Sequence, residues 1–265
     1  MPDTRQPGAL PAFFELAAQP SWRAIDFISD LHLSEALPRT FQAFEAHLNN
    51  TAADAVFILG DLFEAWVGDD MARHGFERLC VRAMAHAASR RQLAFMVGNR
   101  DFLAGTELLR QSGAMGLPDP TVLNAWGQRV LLSHGDALCL ADTPYQAFRR
   151  EVRSAAWQSS FLARPLNDRL KIAADMRQAS HESQARRQFD GAADADVDSA
   201  EAVHWMRAMA TPEMVHGHTH RPGSNLLAPG FTRHVLSDWD LDTAQRAEVL
   251  RLTHDGFERL PPSGL

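Results

Sequence analysis

Short apolar runs alternate with amphipathic stretches along the first half of the chain. Residues 24–29, 55–59 and 93–97 are brief and mostly apolar, with aromatic and branched side chains between polar flanks. Runs of that kind predict strands buried on both faces. Between the first two, Phe41, Phe44 and Leu48 recur at helical spacing, which predicts a helix over 39–50. Residues 76–89 and 102–111 read as two more helices, the second stopping near Gly113. Strand and helix in alternation predict an α/β fold with a largely parallel sheet.

The pattern then changes. Residues 121–126 and 129–133 flank Gly127-Gln128 and read as a hairpin. Thr143-Pro144-Tyr145-Gln146 has a capping-box pattern with proline at the first helical position. A helical region continues to about residue 210, with breaks expected near Pro165 and over 191–196. Strands resume at 213–216, 224–227, 233–236 and 247–252, and Asp255-Gly256 marks a last hairpin turn. The expected organisation is an N-terminal extension over 1–23 and one domain over 24–265, with a helical insertion at about 143–210.

Composition changes little in this picture. The 265 residues are 45% hydrophobic and 22% charged, an ordinary globular balance. No apolar run reaches the roughly 20 residues that span a bilayer, and the first residues do not read as a signal peptide. Two cysteines in unrelated contexts, Cys80 and Cys139, give no reason to expect a disulfide, so a reducing cytoplasm is the default. The net charge of −7 argues against a nucleic-acid partner. Residues 149–187 are the exception: nine Lys/Arg face four acids there, while the rest of the chain carries −12. Such a segment suits a local anionic partner.

Five polar segments each follow directly on an expected strand. They are Ser29-Asp30-Leu31-His32, Gly60-Asp61, Gly98-Asn99-Arg100-Asp101, Ser133-His134-Gly135-Asp136 and His216-Gly217-His218-Thr219-His220. Loops at the carboxyl ends of strands in an α/β sheet converge on one crevice. Asp30 and His32 are two residues apart, as are His218 and His220, so each pair points to one side of an extended backbone. Carboxylate, imidazole and amide oxygen, with no thiolate, suit ions such as Mn, Fe or Zn. Asp30, His32, Asp61, Asn99, His134, His218 and His220 are seven candidate ligands, enough for two ions if one carboxylate bridges. Two such ions would attract and polarise a phosphate. Asp101 and Asp136 read as supporting groups. His47, His74, His86, His181, His204, His234 and His254 read as solvated or structural, and His216 as a residue of the strand.

In these five segments the sequence resembles the calcineurin-like metallophosphoesterase superfamily. The resemblance implies a β-sandwich flanked by helices, in an α/β/β/α arrangement with a helical lid insertion. It implies one metal on Asp30, His32, Asp61 and His220, and a second on Asp61, Asn99, His134 and His218. Longer matches are Gly60 through Asp70 (GDLFEAWVGDD), Gly98 through Leu103, His134 through Cys139, Tyr145 through Arg149, and His216 through Pro222. Over roughly residues 24–250 these resemble the UDP-2,3-diacylglucosamine hydrolase family. That resemblance implies cleavage of a UDP-linked diacylated glucosamine to UMP and a sugar 1-phosphate, with two divalent ions, usually Mn²⁺. Catalytic roles would fall to Asp61, Asn99, Arg100 and His134. Substrate contacts would come from Asn99, Arg100, Asp142, Tyr145, Arg177, Ser180, Gln184, Arg187 and His218. Peripheral attachment of a monomer to the anionic inner membrane, on its cytoplasmic face, is also implied.

Arg100 narrows the chemistry. Many superfamily members carry histidine after the Gly-Asn, where it can protonate a leaving alkoxide. A guanidinium stays charged and is a poor acid, but its planar fork fits phosphate oxygens. The expected leaving group is therefore already stable as an anion. In the basic segment, Trp157, Phe161, Leu162, Leu166 and Leu170 either line an acyl groove or pack the insertion onto the core. Another phosphoesterase, such as a nuclease, and a binding scaffold without metal remain the rival readings.

Overall fold

The computed structural model describes residues 9–189 and 196–264, with side chains described only up to residue 178 of the helix that ends at 189. In chain order the elements are β1 Phe14–Ala17, β2 Ala24–Ile28, α1 Pro38–Asn50, β3 Ala55–Leu59, α2 Gly75–Ala88, β4 Gln92–Met96, α3 Thr106–Ser112, β5 Met115–Leu117, β6 Thr121–Ala125 and β7 Gln128–Leu132. The helices α4 Thr143–Val152, α5 Ala155–Leu162, α6 Leu166–Phe189 and α7 Ser199–Ala208 follow. Strands β8 Glu213–His216, β9 Gly223–Ala228, β10 Phe231–Val235, β11 Val249–Thr253 and β12 Gly256–Leu260 close the chain.

Two six-stranded sheets stack face to face, with orders β12-β11-β2-β3-β4-β5 and β1-β6-β7-β8-β10-β9. Strands β2 to β5 are parallel, while β11 and β12 join them antiparallel, so both sheets are mixed. The apolar run at β3 needs burial on both sides, and it has it. Val56 and Ile58 pack towards α1 and α2 with Phe44, Leu48 and Met84, while Ala55, Phe57 and Leu59 pack between the sheets with Leu123, Val130 and Leu132. Alternate residues of one strand face opposite ways, so one run serves two cores. On the far side of the second sheet, Val122, Leu131 and Met214 meet Ala202, Trp205 and Met206 of α7. The layers are α/β/β/α, as expected.

Several local readings are corrected. The chain before residue 24 contributes β1, which pairs in parallel with β6 as an edge strand. Helix α3 begins at Thr106, four residues later than its periodicity suggests. The N-cap of α4 is Asp142, whose carboxylate accepts from Tyr145 N, and Thr143 lies inside the helix. Helix α7, within the span read as an insertion, covers the second sheet. The segment between α4 and α6 breaks at both 153–154 and 163–165.

Candidate metal centre

Loops from both sheets meet at the carboxyl ends of β2, β3, β4, β7 and β8. Backbone bonds lace them together: His32 N donates to Asp61 O, Leu33 N to Leu62 O, and Gly217 N to His134 O. Asp101, buried, accepts from the amides of Gly98 (2.7 Å) and Leu62 (2.8 Å), which fixes the β3 and β4 loops relative to each other. Burial, and then the charge of Asp61, raises Asp101 to about 6. All seven expected donors lie in this one place.

Ligand atoms of Asp30, His32 and His220 fall within 4.8 Å of one another, and so do those of Asp30, Asp61 and His134. Asp30 thus belongs to both groups. Asn99 Oδ1 stands 3.0 Å from His134 Nε2 and 2.8 Å from His218 Nδ1. His32 Nε2 is 3.3 Å from His220 Nε2. Five of these residues hold left-handed backbone angles: Asp30 (φ 55°), His32 (47°), Asp61 (52°), His218 (65°) and His220 (50°). Each such residue costs about 1–3 kcal/mol and persists only where its surroundings over-determine it.

The donor set suits a divalent ion. His134 Nδ1 lies 2.9 Å from the Leu59 carbonyl, which can only accept, so Nδ1 carries a proton and Nε2 faces the cluster. Burial alone would depress His134, but the carboxylates of Asp61, Asp30 and Asp136 outweigh it and raise its pKa to about 9. Those carboxylates favour positive charge at this spot, whether a proton or an ion supplies it. His218 is held near 4 by burial and by the charge of His134. Burial works against ionisation of Asp30 too, yet its bond to His220 and the nearby imidazoles hold it well below the usual range.

Close packing explains two of the glycines. A Cβ on Gly98 would sit 2.1 Å from Asp61 Oδ1, and one on Gly217 would sit 2.2 Å from Asp30 Oδ2. Each carboxylate passes over a residue that has no side chain.

Around the cluster, Arg100 and Arg177 both approach Glu64, at 3.8 Å and 2.6 Å from its Oε1. Burial would raise Glu64, but its bond with His32 and the charges of Arg100 and Arg177 hold it near 2. Tyr145 stacks on His218 with ring centroids 5.9 Å apart and donates its hydroxyl to Asp136 (2.6 Å). Asp136 is fully buried and also takes Arg149 Nε (2.7 Å) and Arg153 Nη2 (3.4 Å). Arg153 Nη2 reaches on to the Gly98 carbonyl at 2.9 Å. The side chains of Ser180, Gln184 and Arg187 lie outside the described residues. Sequence reasoning missed Glu64 and Asp238, whose Oδ2 is 3.7 Å from His220 Nδ1. Glu64 stands three residues beyond Asp61 within the quoted run, but nothing beside it in sequence marks its role.

The hydrophobic side chains of the basic segment divide. Trp157, Phe161 and Leu166 pack against the core, Trp157 stacking on Phe161 at 4.6 Å. Leu162 and Leu170 are 42% and 38% exposed, although Leu162 also lies against Gly68.

Fold and site together define a phosphoesterase, and the chain belongs to the calcineurin-like phosphoesterase family, whose model matches residues 24–222 and so spans all seven donors. Membership implies divalent metal ions, and these clustered donors are where this chain could hold them. Within the family the chain stands with the UDP-2,3-diacylglucosamine hydrolases. It is 41% identical over 242 residues to the enzyme of that name from Xanthomonas campestris pv. campestris (strain B100), covering 87% of this chain and 96% of the relative. The hydrolase of Stenotrophomonas maltophilia (strain K279a) is 39% identical over 242 residues, with 87% and 95% covered. The chain is a hydrolase of this family. Among the described residues no helix is long and apolar enough to cross a membrane.

Proposed function

We propose that this chain hydrolyses the diphosphate of UDP-2,3-diacylglucosamine to UMP and 2,3-diacylglucosamine 1-phosphate, a step of lipid A assembly, by attack of water on the α-phosphorus. The observation that carries the reading is the convergence of seven donors from five loops beside Arg100, in a chain 41% identical to a hydrolase of that name. Asp30, His32, Asp61 and His220 would hold one ion, and Asp61, Asn99, His134 and His218 a second, with Mn²⁺ our choice for both. When bound, such ions supply the charge that acidifies a water and polarises a phosphoryl oxygen.

The chain's own groups do the rest. Arg100 neutralises the departing sugar 1-phosphate, which needs no proton because it is already a stable anion. Arg177, on α6, offers a second guanidinium on the same side. Tyr145, stacked on His218, and Asp142, both at the start of α4, would meet the substrate with Ser180, Gln184 and Arg187 of the lid. Exposed Leu162, Leu170 and Met176 among Arg150, Arg164 and Lys171 favour attachment of the monomer to the anionic cytoplasmic face of the inner membrane. Co-pelleting with anionic vesicles that weakens with salt is the expected behaviour.

The purified chain with Mn²⁺ should release UMP from UDP-2,3-diacylglucosamine, stop on chelation and recover on adding Mn²⁺. Arg100→His should lower kcat/KM on this substrate about a hundredfold, the usual cost of one electrostatic donor. Turnover of bis-nitrophenyl phosphate with the diphosphate left intact would refute the reading.

A further inference from the structure

Glu64 is the point where three separate elements meet. Its backbone amide donates to Leu33 O at 3.2 Å, so the residue is tied to the loop that carries His32. Its Oε2 lies 3.4 Å from His32 Nδ1. Its Oε1 takes Nη1 of Arg177 at 2.6 Å and lies 3.8 Å from Nη1 of Arg100. Arg100 comes from the loop after β4 and Arg177 from the middle of α6, so two like charges from distant elements share one oxygen. A guanidinium has five N–H donors, and one held by Nη1 has others to offer an anion.

We propose that Glu64 is a positioning residue for the reaction: it sets Arg100 and Arg177 side by side to receive the two phosphates, and its carboxylate stands 3.4 Å from His32 Nδ1. This rests on the diphosphatase reading above. Two roles are open to a carboxylate here, and they differ in sign. If Glu64 only neutralised the arginines, removing its charge would tighten the binding of an anionic substrate. If it positions them, removing it lets the guanidiniums part and weakens binding.

Glu64→Gln keeps the size and a polar group facing His32 but removes the charge, whereas Glu64→Leu removes both. The positioning role predicts that Glu64→Gln lowers kcat/KM on UDP-2,3-diacylglucosamine about thirtyfold, mostly through KM. The loss on bis-nitrophenyl phosphate should be at least about tenfold smaller, because that diester has one phosphate to place. Combining Glu64→Gln with Arg177→Met should give overlapping losses that do not multiply. Calorimetric titration of Mn²⁺ into the metal-free chain should show affinity kept in Glu64→Gln and reduced about tenfold in Glu64→Leu, as for loss of a partner behind a ligating imidazole. A KM at or below the wild-type value in Glu64→Gln, or losses that multiply with those of Arg177→Met, would overturn the role while leaving the diphosphatase reading intact. A wild-type chain that does not cleave the diphosphate would overturn both, and the wild-type control tells the two failures apart.

Discussion

At the scale of single residues, the centre is built from positions that L-amino acids occupy reluctantly. Five donors sit at positive φ and are held there by interlaced loop bonds. The glycines are the counterpart, because the donors crowd over them. Gly98→Ala places a methyl 2.1 Å from Asp61 Oδ1 and 2.5 Å from Asp61 N. Gly98 does not hold a positive φ, but the Asp61 carboxylate and the start of its loop must shift to make room. Affinity for Mn²⁺ should fall about a hundredfold, the upper end for a displaced ligand environment. Calorimetry beside an unchanged circular dichroism spectrum would register this, and a variant that binds Mn²⁺ like the wild type would remove Asp61 from the ligand set. Residue types and spacing marked these residues as candidate donors, and the fold brings them together. Glu64 did not announce itself, because its partners come from residues 32, 100 and 177.

At the scale of elements, long-range contacts set the ends of helices that local pattern misplaces. Helix α3 starts at Thr106 because the Asp69 carboxylate accepts from the amides of Glu107 and Leu108, 38 and 39 residues further on, as a cap would. No residue beside Thr106 advertises that. Helix α6 is tied down by Arg169, which donates to Val67 O and to Asp70. Helix α4 hangs on the fully buried Asp136, which gathers Tyr145, Arg149 and Arg153. Breaking a buried pair from one side costs about 3–5 kcal/mol, less where the partners are part-exposed as here. Asp136→Asn should therefore lose about 2 kcal/mol and loosen α4 first. Hydrogen exchange would show faster amides over 143–152 with β3 and β4 still protected. Uniform loss of protection would mean that Asp136 supports the whole fold and not this helix.

At the scale of the molecule, a second polar cluster ties residues 251 and 263 to the first sheet. Arg251 Nε donates to Asp26 Oδ1 at 2.7 Å, Thr51 joins Asp26, and His47 Nδ1 accepts from Ser263 N at 3.2 Å. His47 is buried, and burial, against the pull of Asp26, lowers its pKa to about 4. Below about pH 6.5 the unfolded chain takes up a proton that the folded chain refuses until about pH 4, so stability falls with pH across that window. His47 alone should cost about 2 kcal/mol between pH 7.5 and pH 5. Urea unfolding at the two pH values, with His47→Gln losing most of the difference, would check it. An equal pH dependence in the variant would place the effect elsewhere.

What the chain's order of residues determined by itself was local or additive. Apolar runs fixed β2, β3 and β4, periodicity fixed α1 and α2, and five short motifs marked the candidate donors, because each of these is written within a few neighbouring residues. What only the tertiary structure decided was whatever joins residues far apart. The runs form two stacked sheets and not one, because Ala55, Phe57 and Leu59 find a second apolar face in β6 and β7. Phe14–Ala17 becomes a strand because β6 offers it an edge, not because its own pattern demands one. Asp30 enters both donor groups, and Glu64 gathers His32, Arg100 and Arg177, only once the loops are brought within a few ångströms. Electrostatic and hydrogen-bonding partners act through space, and space is what a linear sequence does not state.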